Sequence, residues 1–340
     1  MSNTPLGIAV LGSGNQALGW SAAVRKVPAL RLAGLWSSDP ARAAKAAAAA
    51  GTPAYPTLDA IWKDAGVGAV LITTESHRHA ELGLAAAAAG RHVLVEKPLD
   101  VSVDRAAALV AECKQRNLRL AVTAQKRFSP RFRRIKEAIA GGKLGDPVSA
   151  SILVRIRRKR EYFAEGNGWR GDEARGGGVL LNQGVHYADL LCWWLGEPVE
   201  ARGLEGKRIA GSSAPEAVAG SVRFASGAVA SLVLTASETP GLPEFFEIAG
   251  TRGAIQLEGG RVRVWEVQGE GTTGLLGPLT KKLPLPLRLA MTREALAAPV
   301  DGTLEAQLAD FAAAVAEGRD PLSSGEDGLR ALKLVRGLSA

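Results

Sequence analysis

Regular alternation of strand and helix signals is what most constrains this chain. Within the first 124 residues, the aliphatic runs GIAVLG, LRLAGLW, GAVLIT, HVLVE and LRLAVTA are separated by helix-patterned stretches. Strands that are apolar throughout, spaced by helices, predict a parallel sheet covered on both faces. The intervening stretches carry start and stop signals. In DPARAAKAAAAAG, Asp39 is placed to cap a helix, Pro40 takes its first position and Gly51 ends it. The alanine pentads at 46–50 and 85–89 predict helices packed closely on the sheet.

After residue 124 the rhythm changes. FSPRFRRIKEAIAGGKLG predicts a helix, VSASILVRIRR a half-exposed strand, and VLLNQGVHYADLLCWWLG an apolar helix closed by Gly196. SVRFASGAVASLVL reads as a hairpin about Ser226 and Gly227, followed by strands at FFEIAG, AIQLEGG and RVRVWEV. Residues 268–300 read as a long loop or short irregular pieces. LEAQLADFAAAVAEG and GEDGLRALKLVRGL close the chain as helices. The expected class is α/β. It comprises a doubly wound parallel sheet over residues 1–124, then an α+β domain over 125–340 with a large, mostly antiparallel open sheet.

Composition narrows the function classes. Apolar residues make up 46% of the chain but aromatics only 5%, so the core must be mainly aliphatic. Two cysteines, Cys113 and Cys192, cannot build a disulfide framework or a closed zinc site, and no metal is expected. No basic leader precedes the first strand and no apolar run is long enough for a bilayer, so a soluble cytoplasmic protein without membrane partners is expected. The net charge of +8 includes the run RIRRKR at 155–160. That run reads as the solvated face of an edge strand, with a phosphorylated or anionic ligand as the alternative. No zinc finger, recognition helix or aromatic RNA-binding strand accompanies it, so a nucleic-acid partner is not expected.

GSGNQA, residues 12–17, follows the first strand and opens the first helix. In that context Gly12 permits a tight turn, Gly14 admits a pyrophosphate to the backbone, and Asn15 and Gln16 begin a helix whose N-terminus faces phosphate. The second strand ends at Ser37 and Ser38 with no acid for a ribose 2′-hydroxyl, and Asp39 is better read as a cap. Ser37, Ser38 and Arg42 suit a 2′-phosphate, which favours NADP over NAD.

The fourth strand delivers Lys97 to its carboxyl end, where open α/β sheets bind ligands. Pro98 disfavours helical geometry at Lys97. The residue therefore either presents an ammonium to a substrate oxygen or simply ends a strand in solvent.

The combination of GIAVLGSGNQA, HAELGLAAAAAGRHVLVEKPL and GGGVLLNQGVHYADLLCWWLG resembles the glucose–fructose oxidoreductase/inositol dehydrogenase (Gfo/Idh/MocA) family. The resemblance implies a Rossmann domain, a second α/β domain whose open sheet makes a homodimer or homotetramer, and NAD(P)-dependent oxidation or reduction of sugars, cyclitols and polyols. It makes Glu96-Lys97-Pro98 a signature, Lys97 the catalytic lysine and His79 the histidine near the cofactor. Thr73, Thr74, Glu96 and Lys97 join the cofactor set by that resemblance, with Thr74 standing where many members have proline.

On the later helix Asn182 and His186 are four residues apart and share a face. An imidazole with a reference pKa of about 6.5 can take the proton of an alcohol. Many relatives have aspartate where this chain has Asn182, which can only bind and orient a hydroxyl. Asp189 is expected to pack or to orient the histidine. Further substrate candidates are Lys126, Arg127, Tyr162, Trp169 and Arg170. A sugar or dinucleotide sensor on the same fold is the alternative to an enzyme, and a redox-neutral reaction with retained cofactor is a third.

Overall fold

The computed structural model describes residues 4–206, 212–269 and 302–339. The chain divides into two compact units. The first comprises the residues up to Gln125, Ala174–Gly176 and Thr303–Leu332; the second comprises Lys126–Glu173, Gly177–Gly302 and the residues from Lys333.

The first unit holds β1 (Leu6–Leu11), β2 (Leu30–Trp36), β3 (Ala69–Ile72), β4 (His92–Val95) and β5 (Leu120–Val122) in the order β2-β1-β3-β4-β5, with every pairing parallel. The chain reverses its direction of growth between β1 and β3. That reversal opens a crevice beyond the carboxyl ends of the strands. Helices α1 (Asn15–Val24), α2 (Pro40–Ala50), α3 (Leu58–Lys63), α4 (His79–Ala88) and α5 (Val103–Gln115) make the crossovers. Asp39 caps α2 through the N–H groups of Ala41 and Arg42, and Gly51 ends it in the left-handed conformation, as its sequence predicts.

The sequential boundary at 124 needs correcting. Helix α9 (Leu304–Glu317) returns to the first unit, where Leu308, Phe311 and Ala312 share a core with Ile8, Val10, Trp20, Leu71 and Leu94. Burying Leu308 and Phe311 stabilises this unit by about 1.5–3 kcal/mol each. Gln307 fixes the helix in place: its amide donates to Val122 O at 2.8 Å and its oxygen accepts from Ala124 N at 3.2 Å.

The second unit is built on a seven-stranded sheet with the order β12-β11-β10-β6-β9-β8-β7. Its strands are β6 (Pro147–Arg157), β7 (Pro198–Glu205), β8 (Ala217–Phe224), β9 (Val229–Thr235), β10 (Ser237–Gly250), β11 (Gly253–Glu258) and β12 (Arg261–Glu266). All neighbours are antiparallel except β6 and β9, which run parallel. Alternate residues face a covered side. Ala150, Ile152, Val154, Leu232 and Leu234 are buried there, while Ser149, Ser151, Leu153 and Val233 on the opposite face are only half-buried. Helix α6 (Pro130–Ala140) covers the first side through Phe132, whose ring meets Phe246 edge-on at 5.2 Å. Helix α8 (Val185–Leu195) lies on the same side and is preceded by a π-helical turn, Leu180–Gly184. A shorter helix, α7 (Arg160–Ala164), follows β6. The last helix, α10, spans Gly325–Gly337. Of the stretch 268–300, residues 270–300 lie outside the described residues.

Candidate functional site

At the end of β1, Gly12 has φ +142°, and a side chain there would fall 2.2 Å from Thr73 Oγ1. Only glycine fits such a position. Gly14 is the N-cap of α1 with no side-chain cap, its Cβ position meets nothing within 4 Å, and the first helical turn carries no acid. Asn15 and Gln16 are exposed at that turn. Uncapped N–H groups facing open space favour a phosphate. Across the switch point, Thr74 Oγ1 is buried with no partner among the described residues. The glycine cradle and the orphaned hydroxyl both fit a bound dinucleotide.

Asp39 is committed locally. Its Oδ1 accepts N–H bonds from Ala41 at 3.0 Å and Arg42 at 3.1 Å, and its Oδ2 pairs with Arg42 Nε at 3.1 Å. The backbone bond from Arg42 is the first cause holding its carboxyl below the usual range. The cap reading of Asp39 is thus what the geometry supports. Ser37 is buried and bonded to Ser13 Oγ at 3.1 Å; Ser38 is exposed.

The segment Glu96–Asp100 is pinned from three sides. The Glu96 carboxylate, 6% exposed, accepts from Trp20 Nε1 at 2.6 Å and Thr123 Oγ1 at 2.9 Å. The Lys97 backbone N–H points at Glu96 Oε2 and Thr123 Oγ1, each at 3.1 Å. Asp100, fully buried, accepts from the N-terminal Ala80 N–H of α4 at 3.0 Å and from Ser102 N at 2.8 Å. The peptide joining Lys97 to Pro98 is cis. The lysine backbone is therefore fixed by hydrogen bonds as well as by its proline. Glu96 was expected among the cofactor ligands, but its carboxylate is occupied as an anchor beneath the lysine.

His79 calls for a similar revision. Its Nδ1 lies 2.7 Å from Pro98 O and its Nε2 3.1 Å from Thr74 O, and the residue is 1% exposed. Desolvation holds its pKa below the usual value against the pull of those carbonyls. A neutral ring has one N–H to give, and the shorter contact assigns it to Nδ1. Through that one donor His79, at the start of α4, braces the loop after β4.

The second unit carries the other candidates. A Cβ on Gly178, at φ +58°, would meet Ala214 Cβ and Pro215 O at 2.6 Å. The glycine triplet therefore serves close backbone approach, as its sequence suggests. Asn182 is 5% exposed, and its amide nitrogen donates to Gly178 O at 3.1 Å and Arg170 O at 3.2 Å. Those donors fasten the 169–171 turn to the entrance of α8. His186 lies one helical turn further and is half-buried.

Two basic substrate candidates prove to be interior. Arg127, 2% exposed, makes a bidentate pair with Asp189, with Nε–Oδ2 and Nη2–Oδ1 both 2.8 Å, and stacks 5.5 Å from the Trp193 ring centroid. Asp189 therefore serves Arg127. Lys126 Nζ sits 3.3 Å from Glu244 Oε2 inside a cage formed by Tyr187, Phe132 and Phe246, with centroids 5.1, 5.6 and 5.7 Å away. Tyr187 OH donates to the same glutamate. Such cation–π contacts strengthen once water is excluded, so both cations hold the unit together instead of awaiting substrate. Tyr162, Trp169 and Arg170 remain partly exposed. Sequence reasoning missed Trp20 and Thr123, whose partner Glu96 lies 76 and 27 residues away and leaves no local signal, and Asp100, which joins Ala80 N–H 20 residues back to Ser102 N–H two residues on.

A parallel sheet with a glycine cradle at its switch point and a clamped lysine at a neighbouring strand end defines a dinucleotide-binding oxidoreductase unit. Residues 6–124 match the model of the oxidoreductase family with an NAD-binding Rossmann fold, and residues 132–256 match the GFO/IDH/MocA C-terminal domain. The chain belongs to the GFO/IDH/MocA oxidoreductase family and is an NAD(P)-dependent enzyme. It is 31% identical to 1,5-anhydro-D-fructose reductase of Ensifer adhaerens over 79% of this chain and 75% of that one. It is 29% identical to inositol 2-dehydrogenase of Rhizobium meliloti over 82% and 79%. The fold matches WlbA dehydrogenase from Bordetella pertussis, solved with NADH and UDP-GlcNAcA, with a TM-score of 0.86 at 22% identity, covering 100% of this chain and 96% of that one. No helix among the described residues is long and apolar enough to cross a membrane.

Proposed function

We propose that the chain transfers hydride between a nicotinamide cofactor and a secondary alcohol or ketone of a sugar, cyclitol or related polyol. The observation that carries this reading is the Lys97 backbone clamp at the carboxyl end of β4. Fixing the lysine backbone at the strand end limits the space its ammonium can reach, and positioned charge is what stabilises an oxyanion. Bound nicotinamide supplies the hydride acceptor or donor. Lys97 donates a hydrogen bond to the reacting oxygen, and His186 takes the hydroxyl proton during oxidation or returns it during reduction. The named activities of the anhydrofructose reductase and the inositol dehydrogenases support this substrate class.

NADP is the proposed cofactor. Ser37 and Ser38 follow the end of β2 and Arg42 lies in the first turn of α2, where among the described residues its side chain pairs with Asp39 on the exposed surface. Arg42→Ala should raise the KM for NADP⁺ at least about tenfold with little change for NAD⁺; equal effects on both would remove this preference. The open sheet face of the second unit, with Leu153 and Val233 half-buried and Val229 50% exposed at its end, supports a homodimer or homotetramer. Two free, buried cysteines support a cytoplasmic enzyme.

The deciding experiment follows nicotinamide absorbance against a panel of sugars, inositols and sugar phosphates, with wild type, Lys97→Ala and His186→Ala. Both variants should lose turnover by about 10²–10⁴-fold while still binding cofactor. Unchanged turnover in either would refute its assigned role.

A further inference from the structure

Tyr162, on α7, has the Arg158 and Arg170 guanidinium carbons each 4.9 Å from its ring centroid. Arg170 also lies 4.7 Å from the centroid of Trp169. Arg157, Lys159 and Arg160 are exposed beside them. Among the described residues, Glu165 is the one acid within ion-pair reach of these five cations, 3.8 Å from Arg170 and 68% exposed. The guanidinium groups of Arg158 and Arg170 make no hydrogen bond to a described residue. Like charges gathered on one ring repel, and stacking alone does not cancel that repulsion. A guanidinium that spends its face on a ring keeps an in-plane N–H fork, which matches the paired oxygens of a carboxylate or phosphate.

The cluster has a fixed place in its unit. The Arg170 carbonyl accepts from Asn182, one turn before His186. It therefore belongs to the structure that presents the histidine, unlike the surface arginines Arg202 and Arg223, both paired with Glu200 of β7.

We propose that Arg158, Arg170 and Tyr162 bind an anionic oxygen group carried by the substrate, a phosphate ester, pyrophosphate or carboxylate, with Trp169 lying against the adjoining ring. Acidic sugars rather than neutral ones are then the substrate class. This rests on the hydride-transfer reading and narrows it.

The test is calorimetric titration of the full chain with glucose 6-phosphate, galacturonate and UDP, each compared with glucose at constant ionic strength. At least one anionic probe should bind about tenfold or more tightly than glucose, the effect of one charge-assisted fork. Which one does so separates phosphate ester, carboxylate and pyrophosphate. Arg158→Gln with Arg170→Gln should abolish that advantage. Should the double variant fold poorly, Arg158→Gln alone, at an exposed position, should still reduce it severalfold. No anionic preference in wild type, or a preference unchanged in a folded variant, overturns the proposal. The titration requires no turnover. Anion binding without NAD(P)-linked activity would remove the reaction and keep the site; turnover of neutral sugars without anion binding would do the reverse.

Discussion

Replacing Glu96 with glutamine isolates the clamp beneath Lys97. The wild-type carboxylate accepts from Trp20 Nε1 at 2.6 Å through Oε1, and from Thr123 Oγ1 at 2.9 Å and Lys97 N at 3.1 Å through Oε2. Glutamine keeps one accepting oxygen. The Trp20 indole can only donate, so that oxygen must remain opposite it and the amide NH₂ must take the Oε2 position. There Thr123 can reverse its hydroxyl, but the Lys97 N–H keeps only Thr123 Oγ1. Three bonds to a charged acceptor, each worth about 1.5–3 kcal/mol, become two neutral ones of about 0.5–1.5 kcal/mol. A loss of about 2–4 kcal/mol is expected from urea unfolding followed by circular dichroism, with a fall in turnover as the lysine stem loosens. Trp20→Phe removes the indole donor and frees the amide to flip. Introduced into Glu96→Gln, it should therefore cost about 1 kcal/mol less than in wild type. Costs that add within about 0.5 kcal/mol would refute the account.

Gly12→Ala places a Cβ 2.2 Å from Thr73 Oγ1 at φ +142°, and should lower stability by about 2 kcal/mol or more in thermal unfolding. Gly14→Ala meets open space; its unfolding should be unchanged while dinucleotide affinity drops at least about tenfold by fluorescence titration, and unchanged affinity would clear that turn of a phosphate role. Asp189→Ala should cost about 3–5 kcal/mol by removing the carboxylate that Arg127 grips, whereas Arg127→Met with Asp189→Leu should recover much of it; a double variant as weak as the sum would contradict this. Burial depresses both His79 and His92 in the folded chain, and His92 Nδ1 accepts Arg119 N–H at 2.9 Å. The unfolded chain then binds more protons, so their stabilising contribution is full above about pH 6.5 and falls away as pH drops toward the folded values. His92→Gln should flatten the stability profile below about pH 6.5; an unchanged slope would exclude it.

Much of this was readable along the chain because the physics was local. The strand–helix alternation, the Asp39 cap, the Gly12 turn and the hairpin about Gly227 each rest on neighbouring residues. What escaped depends on partners distant in sequence. Lys126 and Arg127 look like free surface cations until Glu244 and Asp189 arrive from later elements. His79 reads as a ligand until the Pro98 carbonyl takes its N–H. The parallel pairing of β6 with β9 hides behind a local pattern that is otherwise antiparallel.

The return of α9 has a consequence for biosynthesis. A ribosome exposes the whole nucleotide-binding sheet while Leu308 and Phe311 are still untranslated, so one flank of that sheet must wait for its cover. A nascent chain stalled after Ala124 should accordingly stay protease-sensitive, and one released beyond Glu317 should not.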